Sequence, residues 1–225
     1  MTFTHIKAVA FDLDGTLVDS LPDLAASANA MRAHLGLPHL EAERIMSHVG
    51  DGIASLVHRA ITDERDGKAD EARWSDGFRF FVSHYREHLA ERTTVYPGVV
   101  TGLELLRALQ LPLVVITNKS ERLAVPLLAA LKLDNDFSLV IGGDTLPDKK
   151  PSALPLLHAC QTLRIEPGEL LMVGDSPNDI LAARNAGSAV VAVRYGYADA
   201  DGLGADAVID SLVELFEMLK NKPSS

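Results

Sequence analysis

Two carboxylates follow the first apolar run of the chain, in the segment Asp12-Leu13-Asp14-Gly15-Thr16. Carboxylates held close together need a cation or a shared proton between them. The pair could therefore supply a nucleophile, Asp12, bound to a divalent cation, and a proton donor and acceptor, Asp14. The alternative interpretation is a capped turn, because Asp, Gly and Thr are common turn residues.

Polar residues also follow three later apolar runs. Thr117 and Asn118 follow one run, Lys150 comes after the next, and Asp175 and Asp179 follow the third. Each set alone could be ordinary helix capping. A hydroxyl at a helix N-terminus can also hold a phosphate oxygen, and carboxylates at a strand-to-helix turn suit Mg²⁺ together with a substrate phosphate. The combination predicts a single site for a phosphate group and a metal ion.

The apolar runs themselves have the character of buried parallel strands. Each is short, rich in Val, Ile or Leu, and lacks the alternation of a half-exposed strand. Strands are predicted over residues 6–11, 113–117, 139–141, 170–173 and 189–193, with an edge strand at 208–209. Amphipathic helices are predicted over residues 99–109, 121–132, 153–163, 178–186 and 211–220. This alternation predicts an α/β fold with a Rossmann-like, doubly wound parallel sheet, whose ligands bind beyond the carboxyl ends of the strands.

Residues 18–95 interrupt the alternation with helical patterns alone. Helices are predicted over residues 22–36, 41–48, 52–62 and 72–91, and the charged stretch 63–76 is predicted to be a solvated loop. We therefore predict two domains. Residues 1–17 and 96–225 form a discontinuous α/β core, and residues 18–95 form an inserted, all-helical cap.

The composition excludes several classes of function. The chain has 225 residues, with 21 Lys and Arg against 31 Asp and Glu, and its net charge of −10 argues against a nucleic-acid partner. The single cysteine, Cys160, excludes an internal disulfide and a multi-cysteine metal site. No signal-peptide pattern and no apolar run of about 20 residues occurs, so neither export nor membrane insertion is expected. We predict a cytoplasmic monomer or homodimer that acts on a small-molecule phosphate ester.

The motifs quoted above resemble the four ordered motifs of the haloacid dehalogenase-like hydrolase superfamily. The likeness covers essentially the whole chain, and the helical insertion is similar to that family's cap module. It implies a Mg²⁺-dependent phosphatase that acts through an aspartyl-phosphate. In that mechanism Asp12 attacks phosphorus, and Asp14 protonates the leaving oxygen and later activates water.

The resemblance implies the remaining roles as well. Thr117 and Asn118 would bind the phosphoryl oxygens, and Lys150 would steady the negative charge. The metal ligands would be Asp12, Asp175 and the main-chain carbonyl of Asp14, with Asp179 supporting the metal or a bound water. An acid at position 14 favours a phosphatase over relatives that cleave carbon–halogen or carbon–phosphorus bonds, because an alkoxide leaving group benefits from protonation.

Within the superfamily, several segments look like phosphoglycolate phosphatases. They are residues 19–24, the loop that contains Gly50, residues 142–146 and residues 195–197. The implied reaction is hydrolysis of 2-phosphoglycolate to glycolate and phosphate. Backbone N–H groups near Gly50 and Gly52, in the cap, are the predicted donors to the substrate's carboxylate.

Two alternatives remain open from the sequence. One is a phosphatase of the same superfamily for another small substrate, such as a sugar phosphate, a nucleotide or pyrophosphate. The other, from a different class, is a phospho-acceptor signalling protein, since receiver domains also combine Asp, Mg²⁺, Thr and Lys on a parallel sheet. The long insertion directly after the first strand favours an enzyme that encloses its substrate.

Overall fold

The computed structural model describes Phe3 and residues 5–220. Within them the chain forms eight strands: β1 (Ala8–Phe11), β2 (Val18–Asp19), β3 (Thr94–Val95), β4 (Leu113–Ile116), β5 (Leu139–Ile141), β6 (Leu170–Gly174), β7 (Ala189–Val193) and β8 (Ala207–Ile209).

The same residues form nine α-helices and three short 3₁₀ turns. The helices are α1 (Leu21–His34), α2 (Ala42–Met46), α3 (Ile53–Thr62), α4 (Glu71–Glu87), α5 (Val99–Ala108), α6 (Glu121–Ala130), α7 (Leu154–Leu163), α8 (Pro177–Ala186) and α9 (Leu212–Leu219). None of these described helices is both long and apolar enough to cross a bilayer.

The chain divides into two compact units. One contains the described residues up to Asp19 and from Val95 onward, and the other is Ser20–Thr94. These limits lie within two residues of those predicted from the sequence, and we keep the assignment of core and cap domains as a proposal.

The first unit is built on a six-stranded parallel sheet in the order β5-β4-β1-β6-β7-β8. The chain passes from β1 to β4 and β5 on one side and then crosses to β6 on the other. The order therefore reverses at β1, which is where open α/β sheets bind ligands. Phe11 pairs with Val115 of β4 and with Val173 of β6, so the three strands end within one residue of the same level.

One face of this sheet packs against α7 and α8. Strand residues with no exposed surface, such as Ala10 and Met172, share this core with Leu156 and Ala183 from the helices. Burial of each large aliphatic side chain contributes on the order of 2 kcal/mol, which holds the helices and the preceding loops in place. The loops at the carboxyl ends of the strands therefore start from a rigid base.

The second unit contains the helices α1 to α4, and Thr94 at its end is its only strand residue among those described. Leu24, Ala28 and Met31 are buried on one face of α1, as their spacing predicts. Helix α4 approaches this face at Gly77, where an added Cβ would lie only 3.2 Å from Met31 Sδ.

The α/β fold with a parallel sheet is confirmed, and all six predicted core strands are present. Two predictions need correction. The pair β2 and β3 was not predicted, because strands of two residues carry no periodicity. The solvated loop predicted over 63–76 ends early, since α4 begins at Glu71 and is capped by Asp70, whose side chain accepts the Arg73 N–H at 3.0 Å.

Candidate active site

Asp12 lies at the carboxyl end of the central strand. Its N–H donates to the carbonyl of Val173 at 2.9 Å, which continues the pairing of β1 with β6 by one residue. The chain then turns tightly, because the carbonyl of Leu13 accepts the N–H of Leu17 at 2.9 Å. Gly15 has φ +88°, and a Cβ there would lie 2.3 Å from Asp175 Oδ2, so only glycine suits this position.

Lys150 bridges two carboxylates inside this site. Its Nζ lies 3.0 Å from Asp12 Oδ1 and donates to Asp179 Oδ1 and to the carbonyl of Ile116, both at 2.6 Å. The side chain is 1% exposed. The contact with Asp12 is an ion pair without hydrogen-bond geometry, which leaves the buried Asp12 Oδ1 without a hydrogen bond. The Asp12 carboxylate therefore lies directly beside a buried cation.

Asp175, the residue after β6, has both carboxylate oxygens held by donors. Thr16 Oγ1 donates to Oδ1 at 3.0 Å, and the N–H of Tyr197 donates to Oδ2 at 2.8 Å. Gly196 makes this approach possible, because a Cβ there would lie 2.2 Å from the Cβ of Asp175. Each oxygen keeps further lone pairs for a ligand.

The protonation equilibria of the site reflect its burial. Burial raises the pKa of Asp12 to about 6, and Asp179 and Asp14 add to the rise while Lys150 opposes it. Burial also raises the pKa of Asp175 well above its usual value, with Asp12 and Asp179 contributing. For Lys150, burial alone would lower the pKa of the ammonium, but Asp12 and Asp179 outweigh it and raise that pKa.

Asp12, Asp175 and Asp179 form a carboxylate cluster that fits a metal ion. One oxygen from each lies within 4.8 Å of the others, and all three residues are buried. One ammonium, on Lys150, cannot neutralise three carboxylates, so the cluster has an uncompensated negative charge when ionised. Oxygen ligands and excess negative charge are what hard divalent cations prefer.

Both carboxylate oxygens of Asp179 accept hydrogen bonds from neighbouring residues. Its Oδ2 accepts the N–H of Ser176 at 3.0 Å and the hydroxyl of Ser176 at 2.7 Å, which closes a capping box at the start of α8. Its Oδ1 accepts from Lys150. Asp179 thus orients Lys150 towards Asp12.

Asp14 lies at the edge of the cluster and pairs with a different lysine. Lys119 Nζ donates to Asp14 Oδ1 at 2.8 Å and to Oδ2 at 3.0 Å.

Thr117 and Asn118 are buried at the end of β4, and Asn118 Nδ2 donates to the carbonyl of Lys150 at 2.9 Å. The fold therefore brings the predicted residues of all four strand ends to one edge of the sheet.

The predicted cap residues lie in the second unit. Gly50 and Gly52 have φ of +117° and +82°, and Gly52 directly precedes α3. Asp51 between them pairs with Arg59 at 2.6 Å. Their predicted contact with substrate stays a prediction.

His48, in the same unit, is a buried histidine. It is 1% exposed, its Nε2 lies 3.4 Å from Asp63 Oδ1, and burial lowers the pKa of its imidazole. The polar character of histidine gives no sign of this burial in the sequence.

Three supporting residues had no role predicted from the sequence. Thr16 and Tyr197 hold Asp175, and Lys119 holds Asp14. Thr16 and Lys119 are close to motif residues, and Tyr197 lies in the segment 195–197. No local pattern indicates their partners, because Asp175 and Asp14 are distant from them in sequence.

Replacing Lys150 with methionine is expected to destabilise the protein by about 3–5 kcal/mol, because it leaves Asp12 and Asp179 buried without a counter-charge. Urea denaturation in the absence of metal measures the loss. The matched control is Lys68→Met at an exposed loop position, which should change stability by less than about 0.5 kcal/mol. Equal stability of the two variants would contradict a structural role for the Lys150 ion pairs.

The chain is similar in sequence to proteins of one known family. A family described as "Haloacid dehalogenase-like hydrolase" matches residues 9–193. A protein of Chromobacterium violaceum named phosphoglycolate phosphatase is 71% identical over 221 residues, covering 98% of this chain and 100% of that one. A protein of the same name from Neisseria gonorrhoeae is 51% identical over 227 residues, covering 97% and 96%.

A crystal structure from Haemophilus somnus, described as a predicted phosphoglycolate phosphatase, is similar in fold as well. Its TM-score is 0.90 at 36% identity, and the match covers 96% of this chain and 98% of that one.

Proposed function

Because the chain belongs to the haloacid dehalogenase-like hydrolases, we propose that it is a Mg²⁺-dependent phosphatase that hydrolyses 2-phosphoglycolate to glycolate and phosphate. The substrate rests on one observation, the 71% identity to the phosphoglycolate phosphatase of Chromobacterium violaceum over that protein's whole length. The geometry supports the reaction class, since a buried carboxylate paired with a buried lysine and a second acid lie at one edge of the sheet.

Asp12 is the proposed nucleophile. Its carboxylate is paired with Lys150, whose Nζ lies 3.0 Å from Oδ1, and this positive charge reduces the repulsion between the carboxylate and an incoming phosphate. Attack on phosphorus forms an aspartyl-phosphate on Asp12 and breaks the bond to the ester oxygen. Thr117 and Asn118, which directly follow the neighbouring strand β4, are proposed to bind the phosphoryl oxygens.

Asp14 is the proposed acid and base. It gives a proton to the departing ester oxygen in the first step, and accepts one from the water that attacks the aspartyl-phosphate in the second. Its place two residues after Asp12, beyond a turn closed on Leu13, puts the acid next to the nucleophile without burying it in the same cluster.

Asp12 and Asp175 are the proposed side-chain ligands of Mg²⁺, together with the main-chain carbonyl of Asp14. A bound Mg²⁺ would supply positive charge, which would offset the negative charge of the nucleophile and of the phosphoryl oxygens. Asp179 was predicted as a metal residue, but its bonds to Lys150 and Ser176 favour a supporting role. The predicted cytoplasmic location and the predicted monomer or homodimer stay predictions.

A phosphate-release panel tests the proposed substrate. The protein with Mg²⁺ is assayed against 2-phosphoglycolate, nucleoside monophosphates, hexose phosphates and pyrophosphate. We expect kcat/KM for 2-phosphoglycolate to exceed the others by about 100-fold or more. A better substrate elsewhere in the panel would overturn the substrate assignment, and a stable phospho-protein without turnover would favour the signalling alternative.

A further inference from the structure

Lys119 is a buried cation to which the proposed chemistry assigns no task. Its side chain is 2% exposed, and its Nζ lies 2.8 Å and 3.0 Å from the two oxygens of Asp14, whose side chain is 15% exposed. Burying an ammonium costs several kcal/mol unless an anion accompanies it. Lys119 and Asp14 form such a pair at the edge of the sheet where the reaction is proposed to occur. Buried charged pairs in such places commonly serve function.

The backbone of Lys119 is fixed on both sides. Its N–H donates to Thr117 Oγ1 at 3.2 Å, and its carbonyl accepts the N–H of Gly143 at 2.8 Å. Gly143 packs against the backbone of Asn118, since a Cβ at position 143 would lie 2.4 Å from the carbonyl oxygen of Asn118. The side chain therefore starts from a rigid position and reaches Asp14 in a defined place.

The chemistry of the substrate then points to what Lys119 binds. Asp14 must face the ester oxygen that leaves, because it protonates that oxygen. In 2-phosphoglycolate the carboxylate is attached to the carbon that bears this oxygen, so the carboxylate lies at the same end of the substrate as Asp14. The cation that contacts Asp14 is the ammonium of Lys119.

We propose that Lys119 binds the carboxylate of the substrate, and that it thereby selects phosphate esters with an anionic group next to the leaving oxygen. This inference rests on the proposed function. It places recognition of the carboxylate in the α/β unit, on a lysine, where the sequence predicted backbone N–H groups at Gly50 and Gly52.

The ammonium has a second effect in this arrangement. A substrate carboxylate beside Asp14 brings two like charges together, which disfavours binding unless a cation lies with them. Lys119 supplies that cation. An ester without the carboxylate needs no such compensation, so the lysine favours the anionic substrate over a neutral analogue of the same size.

Two substrates and three variants test the inference. Initial rates with Mg²⁺ give kcat/KM for 2-phosphoglycolate and for 2-hydroxyethyl phosphate, which has an alcohol in place of the carboxylate. In Lys119→Met the preference for 2-phosphoglycolate, expressed as the ratio of the two values, should fall about 100-fold. In Lys119→Arg, which keeps the cation, the ratio should stay within about tenfold of the original. Asp14→Asn should slow both esters because it removes the acid, and the preference for 2-phosphoglycolate should not fall, because Lys119 remains and the repulsion from Asp14 is gone.

The outcomes separate the two proposals. If the unmodified protein prefers 2-phosphoglycolate and Lys119→Met keeps that preference, the lysine only supports Asp14 and the inference is overturned while the proposed function stands. If the unmodified protein shows no preference, the proposed substrate fails, and the role of Lys119 fails with it. Circular dichroism checks that each variant is folded, and Lys119→Gln replaces the methionine variant if that one is not.

Discussion

Asp12→Asn is expected to lower kcat by about 10⁴-fold or more, because an amide is a far weaker nucleophile than a carboxylate and no other described carboxylate occupies its place. The fold should survive. Asparagine has nearly the same size, and Lys150 retains its bonds to Asp179 and to the carbonyl of Ile116. The substitution also removes a buried carboxylate whose pKa burial has raised, so stability should not fall.

The measurement combines steady-state turnover with acid quenching. Quenching during turnover should trap phosphate on the unmodified chain and none on Asp12→Asn. Asp134→Asn, at an exposed position, is the matched control and should keep full activity. Retention of more than about 1% of activity by a homogeneous Asp12→Asn preparation would rule out nucleophilic catalysis by Asp12.

Asp175→Asn is expected to separate metal binding from folding. Loss of the carboxylate should lower kcat/KM by about 10³-fold or more, because the site loses one of its two proposed side-chain ligands for Mg²⁺. The variant should nevertheless be as stable as the metal-free original protein, or more stable. Asparagine can still accept the N–H of Tyr197 and donate to Thr16 Oγ1, and it removes the repulsion from Asp12 and Asp179.

Proton linkage explains why the loss of this carboxylate should not lower the stability of the metal-free protein. The folded state holds a proton on Asp12 more tightly than the unfolded state does, because its pKa is raised from 3.8 to about 6. Stability of the metal-free protein should therefore fall as pH rises through that window, and Asp175, with its own raised pKa, adds to the fall. At neutral pH the cluster is destabilising until a cation binds.

Thermal unfolding in EDTA and in excess Mg²⁺ measures both effects. Mg²⁺ at about 100 times its Kd should stabilise the original protein by about 2.7 kcal/mol, and should have little effect on Asp175→Asn. Asp134→Asn should respond to Mg²⁺ as the original does. An undiminished Mg²⁺ response in Asp175→Asn would show that the ion binds elsewhere.

Sequence reasoning located the candidate site because two local rules sufficed. Buried parallel strands are recognisable as short apolar runs, and the polar residues that follow them must meet at one sheet edge. Asp12, Thr117 and Asp175 each follow such a run directly, so their assembly needed no knowledge of side-chain contacts. The first helix of the insertion was similarly predictable from the spacing of Leu24, Ala28 and Met31.

The partners of these residues were beyond the same reasoning. Lys119 and Asp14 are 105 positions apart in the chain, and Thr16 and Asp175 are 159 apart. The sequence shows that lysines and aspartates follow the strands. Which lysine neutralises which aspartate depends on the order of the strands and on the directions of the side chains. Lys150 reaches Asp12 and Asp179, while Lys119 reaches Asp14.

The sequence by itself therefore determined the architecture and the candidate residues at the strand ends, because periodicity and strand ends are local properties of the chain. Only the tertiary structure decided how the charges pair. Sheet order sets β4 and β6 on either side of β1 and brings distant charges within 3 Å. Electrostatic interactions change steeply over such distances in a buried site, and no pattern along the chain encodes them.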